Sequence, residues 1–141
     1  MCSLLSVNFH REEVKVSIDE TLISSWVKKS VKTLEHNSGE ICIVFCNDEY
    51  LNKINVKHLK HDYYTDIITF DYSKDNKISG DLFISIDRVK ENAKTNNVEF
   101  INELCRVIIH GVLHLCGFND KTTEEKKEIR QKENFFLSLL F

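Results

Sequence analysis

Apolar residues alternate at the start of the chain, with Leu5, Val7 and Phe9 separated by polar Ser6 and Asn8. A period of two predicts a half-buried strand. Ser17 followed by Glu20 has the spacing of a capping box. Behind it Leu22, Ile23, Trp26, Val27, Val31 and Leu34 recur at helical intervals until Asn37-Ser38-Gly39 stops the run. Glu40 to Cys46 is apolar and β-rich and reads as a strand. Asn47, backed by Asp48 and Glu49, caps a short helix through Leu51 and Ile54. The polar, basic stretch Lys57 to Tyr64 reads as a loop. Asp66 to Tyr72 and Leu82 to Ser85 read as two more strands, separated by the turn-forming Ser73 to Asn76 and by Gly80. Ser85 caps a helix running toward Ala93, and Asn96-Asn97 breaks it. Phe100, Leu104, Val107, Ile108, Gly111, Val112 and Leu115 make one stripe of a further helix that Gly117 ends. Thr122 with Glu125 starts a last helix through Ile129 and Phe136. The order βαβαββααα predicts an α+β fold, one domain over residues 1–141, with a small four-stranded mixed sheet and about five helices.

Composition narrows the class. The chain has 141 residues, 42% of them hydrophobic and 29% charged, which suits one folded domain and excludes a disordered or collagen-like chain. The net charge of −3 advertises no general affinity for nucleic acid. The cysteines Cys2, Cys42, Cys46, Cys105 and Cys116 form an odd set behind a start with no secretory pattern, so free thiols in the cytoplasm are expected. No apolar run is long enough for a membrane helix, so no membrane association is expected.

The chemistry concentrates in His110-Gly111-Val112-Leu113-His114-Leu115-Cys116-Gly117-Phe118-Asn119-Asp120. His110 and His114, four apart on a helix, stack one turn apart on one face, beside the apolar stripe. Gly117 lets the chain reverse, and Asp120 arrives three residues later. Two imidazoles and a carboxylate fill three corners of a tetrahedron and leave the fourth for water, as in catalytic zinc sites. Ligands at offsets 0, 4 and 10 with Gly at offset 7 repeat the spacing of the zincin metallopeptidases. Offset 1, where those peptidases carry their glutamate base, is Gly111 here. Metal-assisted hydrolysis by something other than a zincin peptidase is therefore expected. Cys116, two residues after His114, points to another side of the helix and reads as packing.

These residues resemble the signature of the YbeY family, whose pattern runs His-Gly-x-Leu-His-Leu-x-Gly with a ligand at offset 10. Thr65-Asp66-Ile67-Ile68-Thr69-Phe70 is similar to one strand of that family and Gly80-Asp81-Leu82-Phe83-Ile84-Ser85 to another. Glu103, seven before His110, and Leu51-Asn52 also fit, so the likeness covers about residues 40 to 120 in order. The resemblance implies a single-strand-specific, metal-dependent endoribonuclease with a zincin-like metal-binding helix. It implies work in small-subunit ribosomal RNA 3′-end maturation and ribosome quality control, on single-stranded RNA and in the company of the ribosome. Two departures stand out. Asp120 takes the place of the family's usual third histidine. Leu59 falls where the family carries an arginine six residues before the Thr-Asp pair, with Lys57, His58, Lys60 and His61 around it.

The resulting expectation is one Zn²⁺ held by His110, His114 and Asp120, with Asp66, Asp81 and Glu103 as the carboxylates able to take the proton. Ordinary roles stand beside these: strand-edge or turn hydrogen bonds for the aspartates, and for Glu103 a bond to a ligating histidine. Lys57, Lys60 and His61 are the RNA-binding candidates, followed by Tyr63 and Tyr64, which can stack on unpaired bases. Lys121, Lys126, Lys127, Arg130 and Lys132 are offset by Glu124, Glu125, Glu128 and Glu133 and read as a solvated helix face. The alternatives are a zinc-dependent hydrolase of peptides or small esters, and a non-catalytic ribosome-associated module with a structural metal.

Overall fold

The structure, a computed structural model, describes residues 4–36, 38–59, 65–75 and 77–141. Strand β1 (Leu4–Arg11) leads through helix α1 (Glu20–Thr33) to β2 (Ser38–Cys46), and α2 (Asp48–Ile54) follows. A π-helical turn (Asn55–Leu59) continues α2, then come β3 (Ile67–Asp71), β4 (Lys77–Ser85), α3 (Ile86–Thr95), α4 (Phe100–Leu115) and α5 (Thr123–Ser138). The sheet order is β1-β2-β4-β3. β1, β2 and β4 run parallel, and β3 lies antiparallel on the edge beside β4. This is the expected α+β fold with a four-stranded mixed sheet and five α-helices.

One face of the sheet carries Leu5, Ile41, Ile43, Phe45, Ile78, Leu82 and Ile84, which pack against Ile23, Val27 and Val31 of α1 and Leu104, Ile108 and Val112 of α4. α4 is apolar nearly all round, as a helix crossing the middle of a core must be. On the other face Cys46 and Ile68 are buried against Leu51 of α2. The histidines of α4 therefore sit on the most deeply anchored helix of the fold.

Several boundaries differ from those the sequence suggests. α1 starts later than the Ser17–Glu20 spacing implies, because Asp19 is its cap and accepts from the Leu22 N–H at 3.0 Å. It also stops before Gly39. Glu35 takes the left-handed conformation at φ 69°, and His36 N–H bonds back to the Val31 carbonyl at 3.1 Å. Gly39 instead lies inside β2 at φ +132°, where a Cβ would collide with the Ile78 carbonyl. β4 begins at Lys77 and runs through Gly80, which lets the Leu115 side chain and the Phe70 carbonyl come close. Part of the expected loop from Lys57, as far as Leu59, is the π-helical turn. The caps Asn47, Ser85 and the Thr122–Glu125 capping box are as expected.

Candidate metal centre

α4 ends in the last turn that carries the two histidines. His110 and His114 face each other edge to face with ring centroids 4.6 Å apart, and their Nε2 atoms are 3.0 Å apart. Gly117, at φ +101°, reverses the chain while Phe118 N–H bonds to the Leu113 carbonyl at 3.0 Å. That turn returns Asp120, whose Oδ2 lies 3.3 Å from both Nε2 atoms. Two imidazole nitrogens and a carboxylate oxygen thus form a nearly equilateral triangle. Ligand atoms about 2.0–2.1 Å from a tetrahedral ion stand roughly 3.3 Å apart, so the triangle fits a small divalent metal. These three are the metal-competent group among the described residues. A cavity of about 290 Å³, lined by Asn55, Asp66, Ile67 and all three of these residues, leaves the fourth direction open.

The most informative partner is one the charge pattern hid. Glu133 of α5 is only 5% exposed, and its Oε2 lies 2.6 Å from His110 Nδ1. Its Oε1 accepts from Arg106 Nη1 at 2.9 Å and from Arg130 Nη1 at 3.4 Å. It does not belong to a solvated face. Glu133 stands four residues after Ile129 and three before Phe136, both buried, and so shares the apolar stripe of α5. A carboxylate there needs partners, and that position was the signal that could have revealed it. Burial pushes the Glu133 carboxyl up, but the bonds from His110 and Arg106 outweigh it and hold the group below its ordinary value. Burial likewise opposes charging His110, yet the bond and charge of Glu133 raise its pKa overall. A carboxylate on Nδ1 fixes that proton in place and turns the Nε2 lone pair toward the cleft.

The sequence candidates separate clearly. Asp66 lies just before β3 and shares two cavities with His110 and Asp120. Burial raises its pKa, partly offset by the charge of His110. Glu103 sits two turns before His110 on α4, 7% exposed, and accepts a long 3.5 Å bond from Asn96. The bond to a ligating histidine imagined for it belongs to Glu133. Asp81 is not brought to the site. Its neighbours Gly80 and Leu82 meet Leu115 and Gly111 of α4, so Asp81 projects from the opposite face of β4, where Tyr72 donates to it at 3.3 Å. Lys57 is exposed on the π-helical turn. Lys60, His61, Tyr63 and Tyr64 lie outside the described residues.

Two further positions bear on the chemistry. Gly111, at the offset of the peptidase glutamate, is buried against the sheet, where a Cβ would come 2.8 Å from Ile67 and 2.9 Å from Leu82. A longer side chain there would have to displace the terminal methyls of both. Cys116 stands apart from the triangle, its thiol pushed up to about 12 by burial, which suits packing better than ligation.

A sequence profile of the family described as endoribonuclease YbeY matches residues 6–140. The chain is 44% identical over 137 residues to an endoribonuclease YbeY of Parabacteroides distasonis, an alignment covering 96% of each chain. It is 48% identical over 129 residues to that of Flavobacterium johnsoniae, covering 91% of this chain and 92% of the relative. In three dimensions it is similar to the solution structure of TM1509 from Thermotoga maritima, with a TM-score of 0.70 at 22% identity, covering 95% and 88% of the two chains. That last likeness shows a shared fold.

Proposed function

The chain belongs to the endoribonuclease YbeY family, and from that premise we propose that it cleaves single-stranded RNA by metal-assisted phosphodiester hydrolysis. The observation that carries this reading is the convergence of His110 Nε2, His114 Nε2 and Asp120 Oδ2 beside an open cavity. The work is ribosomal RNA processing, in particular 3′-end maturation of the small-subunit RNA and ribosome quality control in the cytoplasm, with the ribosome as partner. Among the described residues no helix is long and apolar enough to cross a membrane. The family match over residues 6–140 supports reading the whole chain, 1–141, as one such domain.

His110 and His114 of α4, with Asp120 from the reversal that follows it, would hold one Zn²⁺ in a zincin-like arrangement. When bound, such an ion makes water a nucleophile near neutral pH and polarises a phosphoryl oxygen. Glu133 keeps the His110 proton on Nδ1, so that Nε2 stays a lone-pair donor. Asp120 supplies one negative charge to the donor set, which an all-histidine site lacks. Asp66, beside His110 and Asp120 in the same cavity, is placed to take the proton from the attacking water. Lys57, exposed on the π-helical turn, would meet the RNA backbone, and Lys60 and His61 stay RNA-binding candidates from the sequence.

The lack of a carboxylate at Gly111 weighs against a peptidase, and the cavity beside the three ligand atoms weighs against a purely structural metal. The test is Asp120→Ala. Bound metal and cleavage of single-stranded RNA should fall together by about a hundredfold or more, beyond the effect of losing an outer partner. Cleavage at the wild-type rate with metal still bound would remove the assignment.

A further inference from the structure

Beyond the metal centre, a second and larger cavity of about 520 Å³ opens between the start of α4 and the end of α5. Glu103, Arg106 and Arg130 line both this cavity and the one that holds His110 and Asp120, so the three stand at the junction of a continuous groove. Their chemistry divides by position. Glu103 is almost buried, and among the described residues its side chain has the 3.5 Å contact from Asn96 but no ion pair, although Arg106 and Arg130 line the same cavities. Arg106 spends its guanidinium on Glu133 and Asn134. The Arg130 side chain is 61% exposed, and the ion pair it makes among the described residues is the long contact to Glu133, which leaves donors facing the groove. At the far wall Phe141 shows an aromatic ring that is 59% exposed.

We propose that this second cavity receives an unpaired base of the same RNA strand whose scissile phosphate lies at the metal centre; the proposal rests on the RNA reading above. Seven residues of α4 separate Glu103 from His110, about 10 Å along the helix, within reach of a neighbouring nucleotide. The Glu103 carboxylate accepts from the N–H edge of the base, favouring bases with an exocyclic amino group over uracil. Phe141 offers its face for stacking. Arg130, at the junction, meets the phosphate between base and scissile bond. A base already paired in a duplex cannot enter, because its N–H edge is occupied and its faces are stacked. The groove therefore couples strand preference to a defined contact.

The test is fluorescence anisotropy with labelled single-stranded hexamers of cytidylate and uridylate, read on ice before turnover accumulates, with metal content measured for each protein. Phe141→Ala and Arg130→Gln should each weaken hexacytidylate binding about fivefold or more. Arg130→Gln should also lower the slope of log affinity against log salt by about one. Glu103→Leu, which removes the acceptor and keeps an apolar filling at this buried position, should erase the preference for hexacytidylate over hexauridylate. Wild-type affinity in either Phe141→Ala or Arg130→Gln, or an unchanged preference in Glu103→Leu, overturns the proposal. Cleavage of the same hexamers with and without chelator is scored separately. Its failure would sink the endonuclease reading, while the anisotropy still decides whether the cavity holds a base.

Discussion

Two charged clusters lie on this small sheet's helices, and they differ in how their polar atoms are satisfied. At the start of α2 and α3, Asp48 accepts from Ser85 Oγ at 2.7 Å, while Arg88 donates through Nη2 at 2.9 Å and Nε at 3.4 Å. The Asp48 N–H is in turn taken by Asp87 at 3.0 Å. Both carboxylate oxygens of Asp48 are therefore taken by donors of the cluster itself. At the end of α4 the arrangement is the reverse. His110 Nε2, His114 Nε2 and Asp120 Oδ2 crowd to within 3.3 Å around one point, and the nearby guanidinium of Arg106 is spent on Glu133. The first cluster holds two helix starts in place. The second brings three ligand atoms together at the spacing that suits a small cation.

The largest way to sharpen this contrast is to loosen the open cluster from behind. Glu133→Gln removes the charge that fixes the His110 ring without touching a ligand. Metal affinity, read by chelator competition, should fall about 10–100-fold, as expected for an outer partner of a ligating histidine. Glu133→Asp should recover part of the loss. If Glu133→Gln binds metal like the wild type, Glu133 is a packing residue and the contrast weakens.

The closed cluster should answer differently. Asp48→Ala should cost about 1–2 kcal/mol in denaturant unfolding, the range of a hydrogen-bonded charged group that keeps some solvent contact, with metal content unchanged. Burial raises the Asp48 carboxyl, but the hydrogen bonds from Arg88 and Ser85 and the charge of Arg88 lower it by more, so its folded pKa lies below the ordinary value. The stabilisation is therefore complete above the unfolded value of about 3.9 and is lost as pH falls through the folded one. Unfolding curves of wild type and Asp48→Ala should converge under acid and separate above about pH 4. Curves that converge at neutral pH instead would contradict the pairing.

The smallest effect belongs to the exposed π-helical turn. Lys57→Glu should weaken RNA binding a few-fold and reduce its salt slope by about one, with metal affinity and stability unmoved. Unchanged binding would take this turn out of the interface.

Much of this was legible in the chain. The alternation of Leu5, Val7 and Phe9, the caps Asn47, Ser85 and Thr122, and the break at Gly117 are local signals that local structure honours. The spacing of His110, His114 and Asp120 was enough to bring three ligand atoms together, because a helix and the reversal at its end fix that geometry. The rest depended on contacts between distant segments. Glu35 ends α1 in a conformation more usual for glycine, so no residue type announced it. Gly39 and Gly80 look like breaks in sequence but serve close approaches inside the sheet. Asp66 and Asp81 both precede apolar strand residues, and only the pairing of β3 with β4 separates the one at the cleft from the one behind the sheet. Glu133 was hidden by the opposite error: counting charges along α5 obscured its place on the buried stripe. The global charge of −3 likewise says little about RNA, since a net sum carries no information on where the cations lie.

The most direct measurement is cleavage of a single-stranded RNA, with a duplex of the same sequence as control, by protein stripped with chelator and then titrated with Zn²⁺ while its melting transition is followed. Cleavage of the single strand should vanish on stripping with a cooperative melting transition retained, and return at one equivalent of metal per chain. Cleavage that persists in the stripped protein, or a chain that unfolds once stripped, would contradict an open catalytic centre at His110, His114 and Asp120.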